Sequence, residues 1–181
     1  MDEPPHAPVE EQPPRSAPEP PPTVPQTKEH PAESREEPAL TDEECAASVN
    51  EAVRSLLPNR DVYPGPEIPE KKTGNARRAC RIPADEPLLA LIDCTVFGSA
   101  RHCLAFTARG IYASNGAAAV TPGRVAIRYA EFAGRSFGDG GYQEVHLGAN
   151  QHLAVSGCAV PKAEIIALLR SLQKTFARKG D

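Results

Sequence analysis

The sequence predicts a mainly β domain with helices: a barrel or sandwich of seven short strands capped by a C-terminal helix. One or two short helices and a disordered Pro-rich tail precede it. Three observations lead there. Twelve of the 20 prolines fall in residues 1–40. Between residues 87 and 156, short apolar or alternating runs recur at close spacing and are separated by glycine turns. After Pro161 the apolar spacing changes to that of a helix.

The tail comes first. Residues 1–40 hold almost no large apolar side chain beyond Val9, Val24 and Leu40, too little to offset the entropy of ordering the chain. Pro13-Pro14 and Pro20-Pro21-Pro22 favour extended polyproline stretches, read here as a spacer rather than a ligand for a proline-binding partner. Charge divides at the same point. Residues 1–45 carry twelve acidic against three basic side chains, a balance of −9, and the remainder carries 12 against 17, a balance of +5. An acidic tail on a mildly basic domain suits solubility, or competition with an anionic partner.

Residues 41–81 form a helix and a basic connector. Thr41-Asp42-Glu43-Glu44 fits a capping box, with Leu40 and Cys45 at the positions of a hydrophobic staple. Ala46, Val49, Val53, Leu56 and Leu57 recur at helical spacing until Pro58, which predicts a helix over 42–57. The prolines of 58–69 predict an extended connector. Residues 70–81 form a short second helix, weakened by Thr73-Gly74-Asn75 and rich in Lys71, Lys72, Arg77, Arg78 and Arg81.

Residues 82–181 form the β domain. Leu88 to Thr95 is a nearly continuous apolar run, as in a strand covered on both faces. Cys103–Thr107 and Ile111–Ser114 flank Ala108-Arg109-Gly110, a hairpin loop with Gly110 expected in the left-handed region. Thr121-Pro122-Gly123 has type II turn chemistry. Val125, Ile127 and Tyr129 alternate with Ala126, Arg128 and Ala130 in a half-buried strand. Arg135–Phe137, Gln143–Leu147 and His152–Ser156 complete the strands, with turns at Gly138–Gly141 and Gly148–Asn150. Pro161 opens the last helix, Ile165, Leu168, Leu169, Leu172 and Phe176 form its apolar stripe, and Lys174, Arg178 and Lys179 crowd its end before Gly180.

The run Leu89-Ala90-Leu91-Ile92-Asp93-Cys94-Thr95-Val96-Phe97-Gly98-Ser99-Ala100, followed by Leu104-Ala105-Phe106-Thr107 and Gly110-Ile111-Tyr112, resembles a bacterial family of pleckstrin-homology-like domains of unknown function. Ile68-Pro69-Glu70-Lys71-Lys72 and Asn75-Ala76 resemble its lead-in, so the likeness spans roughly residues 68–176. It implies a PH-like barrel and assigns no catalytic residue.

The residues themselves point to binding rather than chemistry. Ser156 lacks a nucleophile elbow, and Gly138-Asp139-Gly140-Gly141 lacks the Lys-Ser/Thr of a phosphate loop. The five cysteines show no Cys-x-x-Cys pattern, so neither a disulfide framework nor a zinc site is indicated. Strand alternation sends Cys94 and Cys103 into the core, against a thiol-dependent enzyme. His102, His146 and His152 read as strand-surface histidines rather than metal ligands, and no cofactor is expected. A charge of +5 with nine Phe and Tyr and no Trp disfavours nucleic acid. The start Met-Asp-Glu-Pro-Pro has no signal-peptide character and no apolar run reaches the ~20 residues of a membrane span, so a cytoplasmic protein is expected.

The leading expectation is a non-enzymatic interaction module that binds a protein or peptide along a sheet edge or beside the last helix. The alternative is peripheral binding to anionic lipid headgroups. The candidate binding loop comprises Phe97, Arg101, His102 and Arg109, and the candidate basic surface Lys71, Lys72, Arg77, Arg78 and Arg81.

Overall fold

The computed structural model describes residues 41–116 and 123–177, and these fall in one compact unit. The element order is α1 (Asp42–Arg54), β1 (Val62–Pro64), α2 (Glu70–Cys80), β2 (Leu88–Asp93), β3 (Cys103–Thr107), β4 (Gly110–Asn115), β5 (Gly123–Arg128), β6 (Gly138–Asp139), β7 (Glu144–His146), β8 (His152–Ala154) and α3 (Lys162–Ala177). Short 3-10 turns cover Gly65–Glu67 and Tyr129–Gly134.

All strand pairs are antiparallel. β1 to β5 form one sheet in chain order, and β6, β7 and β8 form a second. The first sheet keeps a single register across its centre: Leu91 faces Ala105, Ala105 faces Tyr112, and Tyr112 faces Ala126. Among the described residues the two sheets are not closed by hydrogen bonds into a barrel. They are tied by a side chain instead. Asn115 donates from Nδ2 to the His152 carbonyl at 2.8 Å and accepts from the Ala154 amide at 3.0 Å.

The first sheet is covered on both faces, which explains the continuous apolar run of β2. Ala90, Ile92, Leu104, Phe106, Ile111, Ala113, Val125 and Ile127 point to the main core. There they meet α1 through Cys45, Val49 and Val53, and α3 through its predicted stripe, Ile165 to Phe176. Tyr129 stacks on Phe176 at 4.1 Å between ring centres and gives its hydroxyl proton to the Thr107 carbonyl. On the other face Leu91, Cys103, Ala105 and Tyr112 bury against Ala76 and Cys80 of α2, with Ile68 and Ile82.

Several expectations are corrected. The connector 58–69 holds a strand: β1 pairs with β2, Val62 opposite Ile92, so residues 41–81 build the same sheet and core as the residues after 82. The first helix ends at Arg54, its last residues turning through Asn59 N–H to Leu56 C=O, and Leu57 stays exposed. The capping box is formed as read, Thr41 Oγ1 accepting from Glu44 N–H and the Glu44 carboxylate from Thr41 N–H. Tyr129 and Ala130 belong to a 3-10 turn rather than a strand, and the expected strand at Arg135–Phe137 is irregular, pairing beginning at Gly138.

Gly110 is not left-handed; it lies in β4 opposite Arg128, where a Cβ would come 2.3 Å from the Ile127 carbonyl oxygen. Close backbone approach, not turn geometry, requires glycine there. The tail 1–40, the staple residue Leu40, the turn residues Thr121 and Pro122, and Arg178, Lys179 and Gly180 lie outside the described residues.

Candidate functional site

Among the described residues β5 is an edge strand, with no strand paired to its outer edge, and a groove lies beside it. Tyr129 N–H bonds to the Arg109 carbonyl in the same register that pairs Arg128 with Gly110. Odd-numbered residues of β5 therefore bond to β4, and even-numbered ones direct N–H and C=O away from it. The Arg128 amide is taken by Glu131 Oε1 at 3.1 Å. For the amides of Arg124 and Ala126 there is no backbone partner among the described residues.

Side chains alternate with the same period. Val125 and Ile127 enter the core, while Arg124, Ala126 and Arg128 are exposed on the α2 face. There α2 ends at Cys80 and Arg81, leaving a cavity of about 620 Å³ between its C-terminus and β4–β5. Tyr112, Ser114 and Ala126 line it from the strands, Cys80 and Arg81 from the helix end. Arg81 caps α2 in the left-handed conformation, φ 58°, with its side chain exposed. Arg124 spans the groove mouth and donates from Nε to the Ala79 carbonyl.

Tyr112 links the groove to a buried carboxylate. Glu86 is 1 % exposed and accepts from Tyr112 Oη at 2.9 Å, Thr107 Oγ1 at 2.9 Å and Arg128 Nη1 at 2.7 Å. Burial alone would raise its pKa; the bonds from Arg128, Tyr112 and Thr107 outweigh that and hold it below the ordinary glutamate value. Burial and the bond to Glu86 in turn raise the Tyr112 pKa. Glu86 thus fixes the orientation of both the ring in the groove floor and an arginine of the edge strand.

The predicted site residues separate into two ends. Phe97, Arg101 and His102 share the β2–β3 loop, whereas Arg109 sits at the opposite tip, beside Asp42 and Asp85. The loop is braced from within: Asp93 Oδ1 accepts from the amide and hydroxyl of Thr95, and Oδ2 from the Ala100 amide and Lys72. Thr95 Oγ1 accepts from the Ser99 amide at 2.6 Å. These bonds hold out Val96, 76 % exposed, and Phe97, 95 % exposed, and Arg101 is exposed in the same loop. His102 is engaged elsewhere: its Nε2 carries the hydrogen and donates to the Ala154 carbonyl at 2.6 Å, and burial lowers its pKa.

The basic surface of α2 divides likewise. Lys72 is committed to Asp93, and Arg77 clamps the following turn by donating to the carbonyls of Pro83 and Glu86. Lys71, Arg78 and Arg81 are exposed. Cys94 and Cys103 are buried with pKa values pushed well up, each by its hydrogen bond to a neighbouring cysteine and by burial. His146 and His152 face each other across β7–β8 with rings 5.1 Å apart, and among the described residues no three His, Cys, Asp or Glu are grouped to hold a metal. No described helix is long and apolar enough to cross a membrane.

Reading the sequence alone missed the groove and Glu86. The alternation Arg124-Val125-Ala126-Ile127-Arg128 was the available signal, since exposed arginines on every second residue mark a strand with one wet face. Glu86, in Ala-Asp-Glu-Pro, carried none. No protein-family model, no curated protein and no solved structure matches the chain.

Proposed function

We propose that this chain is a non-enzymatic, PH-like interaction module of the cytoplasm that takes an extended acidic peptide from a partner protein as an added strand on β5. The observation carrying this reading is the free edge of β5 beside the groove. Two outward amides offer main-chain hydrogen bonds, and alternate side chains of an added strand would point into the cavity. Arg81 and Arg124 at its rim favour carboxylates, which arginine binds through paired donors. Two antiparallel sheets with a C-terminal helix across the core support the PH-like description, and five free cysteines, four of them buried, suit a reducing compartment. The test is fluorescence anisotropy with labelled decapeptides of alternating Val/Glu and alternating Val/Lys. Binding of Val/Glu but not Val/Lys, lost in Ala126→Pro, is expected; equal binding of both peptides rejects the reading.

A second reading rests on Val96 and Phe97. Two exposed apolar side chains on a braced loop that also carries the exposed Arg101 suit shallow insertion into an anionic lipid surface. Arg109, at the far tip, takes no part in it. Sedimentation with anionic vesicles tests this reading.

A further inference from the structure

Four of the five cysteines stand in two pairs, and the pairs differ in access. Cys80 and Cys103 have their sulfurs 3.6 Å apart, both buried between α2 and the sheet. Cys94 and Cys158 have theirs 3.1 Å apart, and of all five cysteines only Cys158 is partly exposed. Cys94 opens the β2–β3 loop and Cys158 lies in the β8–α3 connection. Gly157 lets these two segments touch backbone to backbone, since a Cβ there would come 2.5 Å from the Cys94 carbonyl oxygen. The contact joins residues 64 positions apart.

We propose that Cys158 is a peroxide-reactive thiol and Cys94 its resolving partner, forming a reversible Cys94–Cys158 disulfide that staples the β2–β3 loop to the β8–α3 connection. The chemistry balances with a hydroperoxide as oxidant. The Cys158 thiolate attacks one peroxide oxygen, the O–O bond breaks, water leaves from hydrogen peroxide, and Cys158 becomes a sulfenic acid. The Cys94 sulfur then attacks the Cys158 sulfur, the S–OH bond breaks, and a second water leaves. Two thiols lose two electrons and two protons in all, and the peroxide is reduced to two waters. A dithiol reductant reverses the cross-link.

The division of roles follows from position and electrostatics. A hydrogen bond from the Cys94 thiol lowers the Cys158 pKa against the opposing effect of burial, favouring the thiolate where the oxidant arrives. Cys94, bonded to Cys158 and buried, is held as the thiol until its neighbour is oxidised. Cys45, Cys80 and Cys103 are buried and serve as internal controls.

The full chain is treated with hydrogen peroxide, alkylated and mapped as peptides without reduction. A Cys94–Cys158 peptide is expected, lighter by two hydrogens and lost on treatment with dithiothreitol, while Cys45, Cys80 and Cys103 stay as thiols. In Cys94→Ser, Cys158 is expected to stop at the sulfenic acid and be trapped by dimedone; Cys158→Ser is expected to abolish the reaction. A cross-link between Cys80 and Cys103, an intermolecular Cys158 dimer, or unmodified Cys158 in the folded wild-type chain overturns the proposal.

Discussion

Lys72 Nζ lies 2.5 Å from Asp93 Oδ2, joining the first turn of α2 to the end of β2. Asp93 is fully buried, and its two oxygens also collect two amides and a hydroxyl from the loop that follows. Burial would lower the lysine pKa, but the bonds and charge of Asp93, helped by Tyr63, raise it above the ordinary value. A raised lysine pKa means stability fully present below the unfolded value and lost only as the pH climbs through the folded one. The pair is therefore intact at neutral pH. Lys72→Met leaves a buried carboxylate without its countercharge and should cost about 3 kcal/mol in urea unfolding. Asp93→Ala should cost at least as much and free the loop to proteolysis. If the two losses are additive in the double variant, the pair is not coupled.

Glu86 gives the acid limb of stability. Its folded pKa lies below the unfolded one, so its contribution is present above the ordinary glutamate range and fades as the pH falls through the depressed value. Glu86→Gln should lower stability at pH 7 and flatten the decline below pH about 5. Parallel acid profiles of the two proteins would show that Glu86 does not titrate with folding. Tyr112 should lose part of its raised pKa in the same variant, readable by its ultraviolet titration.

How much of this was legible depends on sequence distance. The capping box Thr41–Glu44, the apolar stripe of α3 and the buried run of β2 are decided within a few residues, although β2 stops at Asp93, two residues short of the expected Thr95, and α1 at Arg54 rather than residue 57. β1 was hidden because Val62-Tyr63-Pro64 is too short for a period and holds a proline, tolerated on an edge. The charged residues were the least legible. Lys72 and Arg77 looked like parts of a basic surface and Arg109 like part of a binding loop, yet each answers to a partner that only the fold supplies: Asp93, the Glu86 carbonyl and Asp85. The groove depends on where α2 stops relative to β5, a relation between elements that no local pattern encodes.

The edge of β5 makes a clean test because Ala126 faces outward and its amide has no partner among the described residues. Ala126→Pro removes that donor without breaking a bond to β4, so unfolding free energy should change by less than about 1 kcal/mol. Val/Glu peptide binding should nonetheless fall below detection. Arg124→Glu should weaken the same peptide about ten-fold, on the order of one charge-assisted hydrogen bond. If Ala126→Pro folds and binds like the wild type, the peptide does not add to this strand.

Phe97 separates the lipid reading from the peptide reading. Its side chain is 95 % exposed, so Phe97→Ser removes almost no buried area and should alter stability by no more than about 0.5 kcal/mol. Insertion of the ring into a bilayer would bury apolar surface on the order of 2 kcal/mol, and its loss should weaken vesicle binding by roughly thirty-fold. Arg101→Glu should weaken binding further, with a salt dependence that Phe97→Ser does not show, because only the charge is screened. Neither change touches β5, so the Val/Glu peptide should bind both variants unchanged. Anionic vesicles that sediment wild type and Phe97→Ser equally would leave the loop without a membrane role, and neutral vesicles that bind as well as anionic ones would remove Arg101 from it.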